Sequence, residues 1–267
     1  MISRKTKRKL VNIIAGKKRY QKFFETLLYM SYRVLNYNNG GDISQNGELH
    51  LLKQIREKYK GEKSIVIFDV GANSGHYSEG IAEIFGDKSI IYAFEPSLET
   101  YKVFIETTKN IKNIIPNNIG LSDKEGTLLL HTPEQGSTIA SVYKRNLDHY
   151  GIDMNQNEEI KLSTVDKYCQ DKNIDKIDFL KIDVEGHELS VLHGAKRMLS
   201  EKRIEHIQFE FGGTNIDSRT FFQDFFYLLK DNYRIYRILK DGLSEIESYN
   251  ESLEVFYLIN FVAIKRS

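Results

Sequence analysis

Three groups of residues carry chemistry by their types and spacing. The first lies in Ile65 to Ser78, I-V-I-F-D-V-G-A-N-S-G-H-Y-S, where Asp69, Gly71, Asn73 and Gly75 follow an apolar run and precede a helix-like segment. Glycines at such a turn let backbone approach a ligand closely, and the free N–H groups of the helix start can meet polar atoms. The second is Glu95, which closes the run Ile90–Phe94 and is followed by Pro96. An acid about twenty positions past a glycine turn typically bonds ribose hydroxyls. The third is D-V-E-G-H-E, which places Asp183, Glu185, His187 and Glu188 directly after I-D-F-L-K-I. Carboxylates and imidazoles at a strand tip can take a proton from a hydroxyl nucleophile. His187 leads as the candidate base because an unperturbed imidazole titrates near neutral pH. A satisfied or exposed structural histidine is the alternative. Glu185 is next in line, and with Asp183 and Glu210 it could instead offer oxygen ligands to a divalent cation. The spacing selects no metal, and none is assigned.

The glycine turn is not a dinucleotide fingerprint. That fingerprint, G-x-G-x-x-G, needs its second glycine so that a pyrophosphate can reach the backbone. Here the position is Asn73 and the spacing is G-x-x-x-G. This disfavours a nicotinamide-dependent oxidoreductase. A ligand with a ribose and no phosphate clamp fits better, and S-adenosylmethionine meets that description.

The elements that must position these residues alternate strand and helix from Ile65 onward, which predicts a parallel sheet with helices on both faces. Strands are expected at Ile65–Asp69, Ile90–Glu95, Ile114–Ile119, Asp178–Asp183 and Ile204–Phe211. Helices are expected at Tyr77–Phe85, Leu98–Asn110, Glu188–Leu199 and Phe221–Lys230. Thr127–Thr132 and Glu159–Thr164 read as strands around a long polar excursion containing Tyr143, Arg145, His149 and Tyr150. A connection of that length is usually functional or disordered, and a lid or substrate wall is expected. Tyr143 and Tyr150 could stack on a sugar. Tyr233–Leu239 and Phe256–Ile264 read as a final antiparallel pair.

The blocks F-D-V-G-A-N-S-G-H-Y-S, F-E-P and I-D-F-L-K-I-D-V-E-G-H-E-L-S-V-L-H-G-A occur in this order. Together they resemble the FkbM-type methyltransferases, a family of class I S-adenosylmethionine-dependent enzymes, over about Ile65 to Phe211. The resemblance implies a Rossmann-like α/β fold with a mostly parallel seven-stranded sheet, an antiparallel last strand and an N-terminal helical extension. It implies O-methylation of a sugar, glycan or other small-molecule acceptor and does not name that acceptor. For S-adenosylmethionine it implies contacts from Asp69, Gly71, Asn73, Gly75, Tyr77, Glu95, Ser122, Asp123 and Asp183. The turn at Ser122-Asp123 lies beside the adenine in such enzymes, although a simple Asx-turn before Gly126 is an equal reading. Asp183 sits where they often hold the methionyl amino group, with a helix cap as its plainer alternative.

Composition bounds the rest. A chain of 267 residues with 40% apolar side chains supports one ordinary core, divided here as a helical extension over 1–60 and the methyltransferase domain over 61–267. A net charge of +1 argues against a general nucleic-acid binder. The lone Cys169 cannot form an internal disulfide and reads as a core residue. No apolar run reaches spanning length and no signal-peptide pattern is seen, so cytoplasmic residence is expected. Before Glu25 all charges are basic: Arg4, Lys5, Lys7, Arg8, Lys9, Lys17, Lys18, Arg19 and Lys22. Tyr20, Phe23, Phe24, Leu27 and Leu28 recur at helical spacing. Their face either packs on the catalytic domain or contacts a membrane surface or a partner, and a basic amphipathic helix can bind anionic lipid. An intact glycine turn and strand-tip acid favour an enzyme over a non-catalytic scaffold of the same fold.

Overall fold

The computed structural model describes residues 11–38, 43–61 and 64–266. The strands, in chain order, are β1 Ile65–Val70, β2 Ser89–Phe94, β3 Ile114–Asn117, β4 Gly120–Leu121, β5 Gly126–Thr132, β6 Gln156–Ser163, β7 Ile177–Ile182, β8 Ile204–Phe211, β9 Tyr233–Leu239, β10 Gly242–Ile246 and β11 Ile259–Lys265. Eight of them form one sheet in the order β10-β9-β11-β8-β7-β1-β2-β3. Strands β3, β2, β1, β7 and β8 pair in parallel, whereas β11 runs antiparallel between β8 and β9. This is the Rossmann-like methyltransferase arrangement expected from the sequence, with one addition. β10 turns back on β9 as a hairpin and makes an eighth strand. Its stretch, G-L-S-E-I, is too short and polar to announce itself. A separate three-stranded sheet, β4-β6-β5, stands beside the main one.

Burial explains why β1 and β7 are central. β7 is buried at every position and β1 at all but Val66. Side chains alternate between faces along a strand. Ile65 and Ile67 therefore enter one core with Phe179 and with Leu51, Leu52 and Ile55 of helix Glu48–Lys58. Phe68 and Val70 enter the opposite core with Leu180, Ile182, Phe209 and Phe225. On the first of these faces a polar row replaces apolar packing near the strand ends. Asp69 is in register with Lys181, and Lys181 with Gln208.

Two expectations need adjusting. The segment Glu188–Leu199 is two helices, Glu188–His193 and Lys196–Ser200, rather than one. The break falls at Gly194, where a Cβ would lie 1.9 Å from the Ser122 carbonyl oxygen, so backbone crossing sets the sequence there. The packing considered for helix Gln21–Val34 is limited to Tyr32, which lies partly buried against a core, whereas Phe23, Phe24, Leu27 and Leu28 are exposed. The basic cluster from Arg4 to Lys9 lies outside the described residues. Among the described residues no helix is long and apolar enough to cross a membrane. Cys169 is buried, and that burial pushes its thiol up to about 12, in keeping with a core role.

Candidate active site

β1 lies where the strand order reverses between β2 and β7, the position at which open α/β sheets bind ligands beyond their carboxyl ends. The glycine turn leaves β1 through Gly71 at φ +82°, Asn73 at φ +47° and Gly75 at φ +94°, then enters helix His76–Phe85. Gly71 and Ala72 both donate their N–H groups to the Phe94 carbonyl at 3.0 Å, which fastens the turn to β2. A Cβ on Gly71 would lie 1.8 Å from the Asp183 carbonyl oxygen. Glycine is thus demanded here by the tip of β7 itself. At Gly75 a Cβ would meet Thr108 and Phe104, a packing constraint behind the turn.

Glu95 organises the far side of the turn. Its carboxylate accepts the Asn73 N–H at 3.0 Å and the Ser97 N–H at 2.9 Å. Burial pushes its pKa up to about 7, against the pull of those two donors. Glu188 does the same for the β7 tip. One of its oxygens accepts from the Val184 and Gly186 N–H groups at 3.0 Å, while the other is buried without a hydrogen-bond partner. Burial raises Glu188 to about 7. The loop so tied holds Glu185 at φ +53°, which few non-glycine residues adopt, and Gly186 at φ +99°.

His187 is not an open imidazole. Its Nε2 lies 2.8 Å from the Ser122 hydroxyl and its Nδ1 3.0 Å from the Tyr143 hydroxyl. The Ser122 hydroxyl donates onward to Asp123 at 3.0 Å. The consistent assignment has Tyr143 donating to Nδ1 and Nε2–H donating to Ser122. Burial lowers His187 to about 4, so the ring is neutral near pH 7. Asp123 is held below its usual range, first by the Ser122 hydrogen bond.

The excursion after β5 closes over these groups. Ser141 exchanges backbone bonds with His131, and its hydroxyl donates to the Glu185 carbonyl at 2.7 Å. Arg145 reaches Glu185 at 3.1 Å and Asp217 at 3.5 Å. Burial, with Asp183 adding to it and Arg145 opposing, raises Glu185 to about 8. Tyr143 therefore serves the histidine, and Tyr150 is exposed.

Two cavities result. The first is lined by Gly71, Asn73 and Glu95, by the apolar side chains of Leu121, Leu130 and Leu162, and by Asp183, Glu185 and His187. The second is lined by Glu48, Tyr77, Lys181, Asp183, Glu210 and Asn260. Gly71, Asn73, Thr138 and Asp183 line both. Of the residues singled out in the sequence, Gly71, Asn73, Glu95, Asp183, Glu185 and His187 meet in the first cavity, and Tyr77 faces the second. Asp69, Gly75, Ser122 and Asp123 line neither. Asp69 is fully buried, accepts from Ser78 at 2.6 Å and pairs with Lys181 at 3.3 Å. Among the described residues no three acidic, histidine or cysteine side chains converge as a metal-ligand group.

Sequence reasoning passed over Lys181 and Glu48, and it placed Arg145 in the excursion without a partner. Lys181 pairs with both Asp69 and Asp183, the latter at 3.4 Å. Burial opposes its charge, but Asp69, Asp183 and Glu48 outweigh it and hold the pKa above the usual lysine value. A lysine inside a strand buried on both faces was the available signal, because such a charge must be paired. Glu48 lies far away in sequence, accepts from Gln208 and from Asn46, and is raised by burial. Glu210 is half-buried and is raised first by burial and then by the surrounding carboxylates.

Residues 69–239 match a family model described as the methyltransferase FkbM domain. Among curated proteins, the chain is 29% identical over 154 residues to the hexuronic acid methyltransferase AglP of Haloferax volcanii, covering 57% of this chain and 58% of that protein. It is 22% identical over 154 residues to the 2-O-methyltransferase NoeI of Sinorhizobium fredii, covering 54% of this chain and 63% of that protein. The chain thus spans less than two thirds of the length of either relative. Among solved structures it is similar to the fibrillarin of Aeropyrum pernix with natively bound S-adenosyl-L-methionine, at 13% identity and a TM-score of 0.41, over 76% of this chain and 67% of that one.

Proposed function

This chain belongs to the FkbM methyltransferase family, and on that footing we propose that it transfers a methyl group from S-adenosylmethionine to a hydroxyl of a sugar, a glycan or a related small molecule. The observation that carries the proposal is the pair of cavities sharing Gly71, Asn73, Thr138 and Asp183. A donor in one and an acceptor in the other would meet at that shared edge.

The first cavity suits the donor. Glu95 offers carboxylate lone pairs to a ribose, and Leu121, Leu130, Ile160 and Leu162 give an apolar slot for a planar base. Asp183, at the other end, can accept from an ammonium. When bound, the donor supplies an electrophilic methyl on a sulfonium sulfur. The second cavity suits a polar acceptor, since amides and carboxylates line it. Asp183, Glu210, Glu48, Lys181 and Asn260 offer donors and acceptors there to a hydroxyl-rich molecule.

Positioning does most of the work in such a displacement, because the attacking oxygen must lie in line with the bond that breaks. Asp183 takes the proton as the hydroxyl oxygen becomes an ether oxygen. It is the carboxylate common to both cavities, which neither Glu185 nor His187 is. Lys181 holds it in place from below. His187 orients Tyr143 and Ser122. Glu185 fixes the excursion through Arg145.

Calorimetry should show S-adenosylhomocysteine binding to the wild-type chain and no binding of NAD. Asp183→Asn should keep that affinity within about tenfold while lowering methyl transfer to a glycoside, followed with labelled donor, by about a hundredfold or more. No binding of S-adenosylhomocysteine overturns the donor reading. Full activity of Asp183→Asn overturns the proton assignment. Gly71→Val is uninformative here, because the added side chain collides with the Asp183 backbone whatever is bound.

A further inference from the structure

Helix Gln21–Val34 touches a core through Tyr32 and leaves its other large apolar side chains in solvent. Phe23, Phe24, Leu27, Leu28, Met30 and Val34 are all exposed, Phe23 at 65% and Val34 at 85%. At 100° per residue these six fall within one half of the helix surface, while Lys22, Thr26 and Arg33 fall on the other. A folded domain rarely leaves so many large apolar side chains together in water, and such a stripe marks an interaction surface. The charge around it is one-sided. From Met1 to Asn36 the sequence has ten Lys and Arg residues and one acid, Glu25.

Among the described residues, the side-chain ties of this helix to the rest of the fold lie at its carboxyl end. The Tyr32 ring packs edge-on against Tyr37 and Tyr257, with centroids 5.6 Å and 5.2 Å away. Asn36 donates its side-chain amide to the carbonyls of Asn46 and Ile238 at 2.8 Å and 2.9 Å. The Asn38 N–H donates to the Leu258 carbonyl at 2.7 Å. Asn46 and Leu258 are also wall residues of the second cavity. The anchor of the apolar stripe and the acceptor cavity therefore share residues.

We propose that this helix lies on the surface of an anionic lipid bilayer, its apolar stripe in the headgroup boundary and its basic residues against the acidic headgroups. The helix is too short and too polar to cross a membrane. An apolar face with a strongly basic flank and low overall hydrophobicity is the composition of an interfacial helix. The charge decides between a bilayer and a second copy of the chain. Pairing two copies through this stripe would bring two basic flanks together, whereas anionic headgroups neutralise them. The proposal does not depend on which molecule is methylated.

The test is sedimentation of the full chain with vesicles of phosphatidylcholine containing about 30% phosphatidylserine, beside vesicles of phosphatidylcholine alone. The protein should sediment with the anionic vesicles, bind the neutral ones at least about tenfold more weakly, and lose most binding as NaCl rises from about 0.05 M to about 0.5 M. Leu27→Asp combined with Leu28→Asp should cut binding by about tenfold or more. Both residues are exposed, so S-adenosylhomocysteine affinity should be unchanged, which separates loss of docking from loss of fold. The proposal is overturned if the wild-type chain ignores anionic vesicles at low salt, or if the double variant binds them as well as wild type. It is equally overturned if the chain is a dimer that the double variant dissolves into monomers while neither protein binds vesicles.

Discussion

At the scale of single residues, the proposed function gives the strand-tip motif roles that chemical type alone would not assign. His187 has the side chain most often used as a base at neutral pH, but the fold spends both its nitrogens on Tyr143 and Ser122. With the ring neutral and its pKa lowered to about 4 by burial, it is a poor proton acceptor and a good spacer between two hydroxyls. His187→Ala should therefore weaken S-adenosylhomocysteine binding by about tenfold and cost about 1–2 kcal/mol in denaturant unfolding, because Tyr143 and Ser122 lose their partner. The pH–rate profile for methyl transfer should keep its limbs. Loss of a limb near neutrality, with donor affinity intact, would restore the histidine as the base.

At the scale of elements, the excursion between β5 and β6 behaves as a wall held by three side-chain ties: Ser141 to the Glu185 carbonyl, Tyr143 to His187, and Arg145 to Glu185 and Asp217. Arg145 is the tie with most at stake. Its side chain is 12% exposed and both partners are 22% exposed, so removing it leaves two carboxylates in a poorly solvated place. Arg145→Ala should raise amide exchange over residues 133–155 by about tenfold or more, with little change in β1 and β7. Unchanged exchange in that window would mean that the segment is held by its buried Leu147 and Met154 instead.

At the scale of the whole molecule, buried acids make stability depend on pH in an unusual direction. Burial raises Glu95 and Glu188 to about 7 and Glu185 to about 8, and Glu210 is raised as well. A carboxyl with a raised folded pKa keeps its proton in the native state over a window where the unfolded chain has lost it. Stability then falls as pH rises through that window. His187 and His206, both lowered to about 4, act oppositely, but their window closes near the ordinary histidine value of 6.5. Above it the acids act alone. The ligand-free protein should lose roughly 1–3 kcal/mol of unfolding free energy between about pH 6.5 and 8.5. Glu188→Gln should make the fall shallower, since an amide keeps the oxygen that serves Val184 and Gly186 and removes the buried charge. Denaturant midpoints across pH check this, and a rising or flat profile would refute it.

The sequence by itself determined the parallel core of the sheet, the glycine turn, the acid at the end of β2 and the acidic tip of β7. All four are local signals. Continuous apolar runs report strands buried on both faces, and glycines report turns that reject a side chain. Gly71, Asn73, Glu95, Asp183, Glu185 and His187 were legible for that reason, and the structure gathers them in one cavity. Tertiary structure alone decided the partners. Lys181 is one letter in an apolar run until sheet register sets it beside Asp69. Glu48 joins the second cavity from more than a hundred residues away, through Gln208. Arg145 and Tyr143 were legible as members of a long polar excursion, but their partners Glu185 and His187 emerge only when it folds back on β7. The same distinction separates the two faces of helix Gln21–Val34. Periodicity announced an apolar stripe, but whether a core would cover it depended on where the chain turned at Asn36, and that turn leaves the stripe in solvent. Periodicity is a property of neighbours along the chain, whereas burial, pairing and charge regulation belong to neighbours in space.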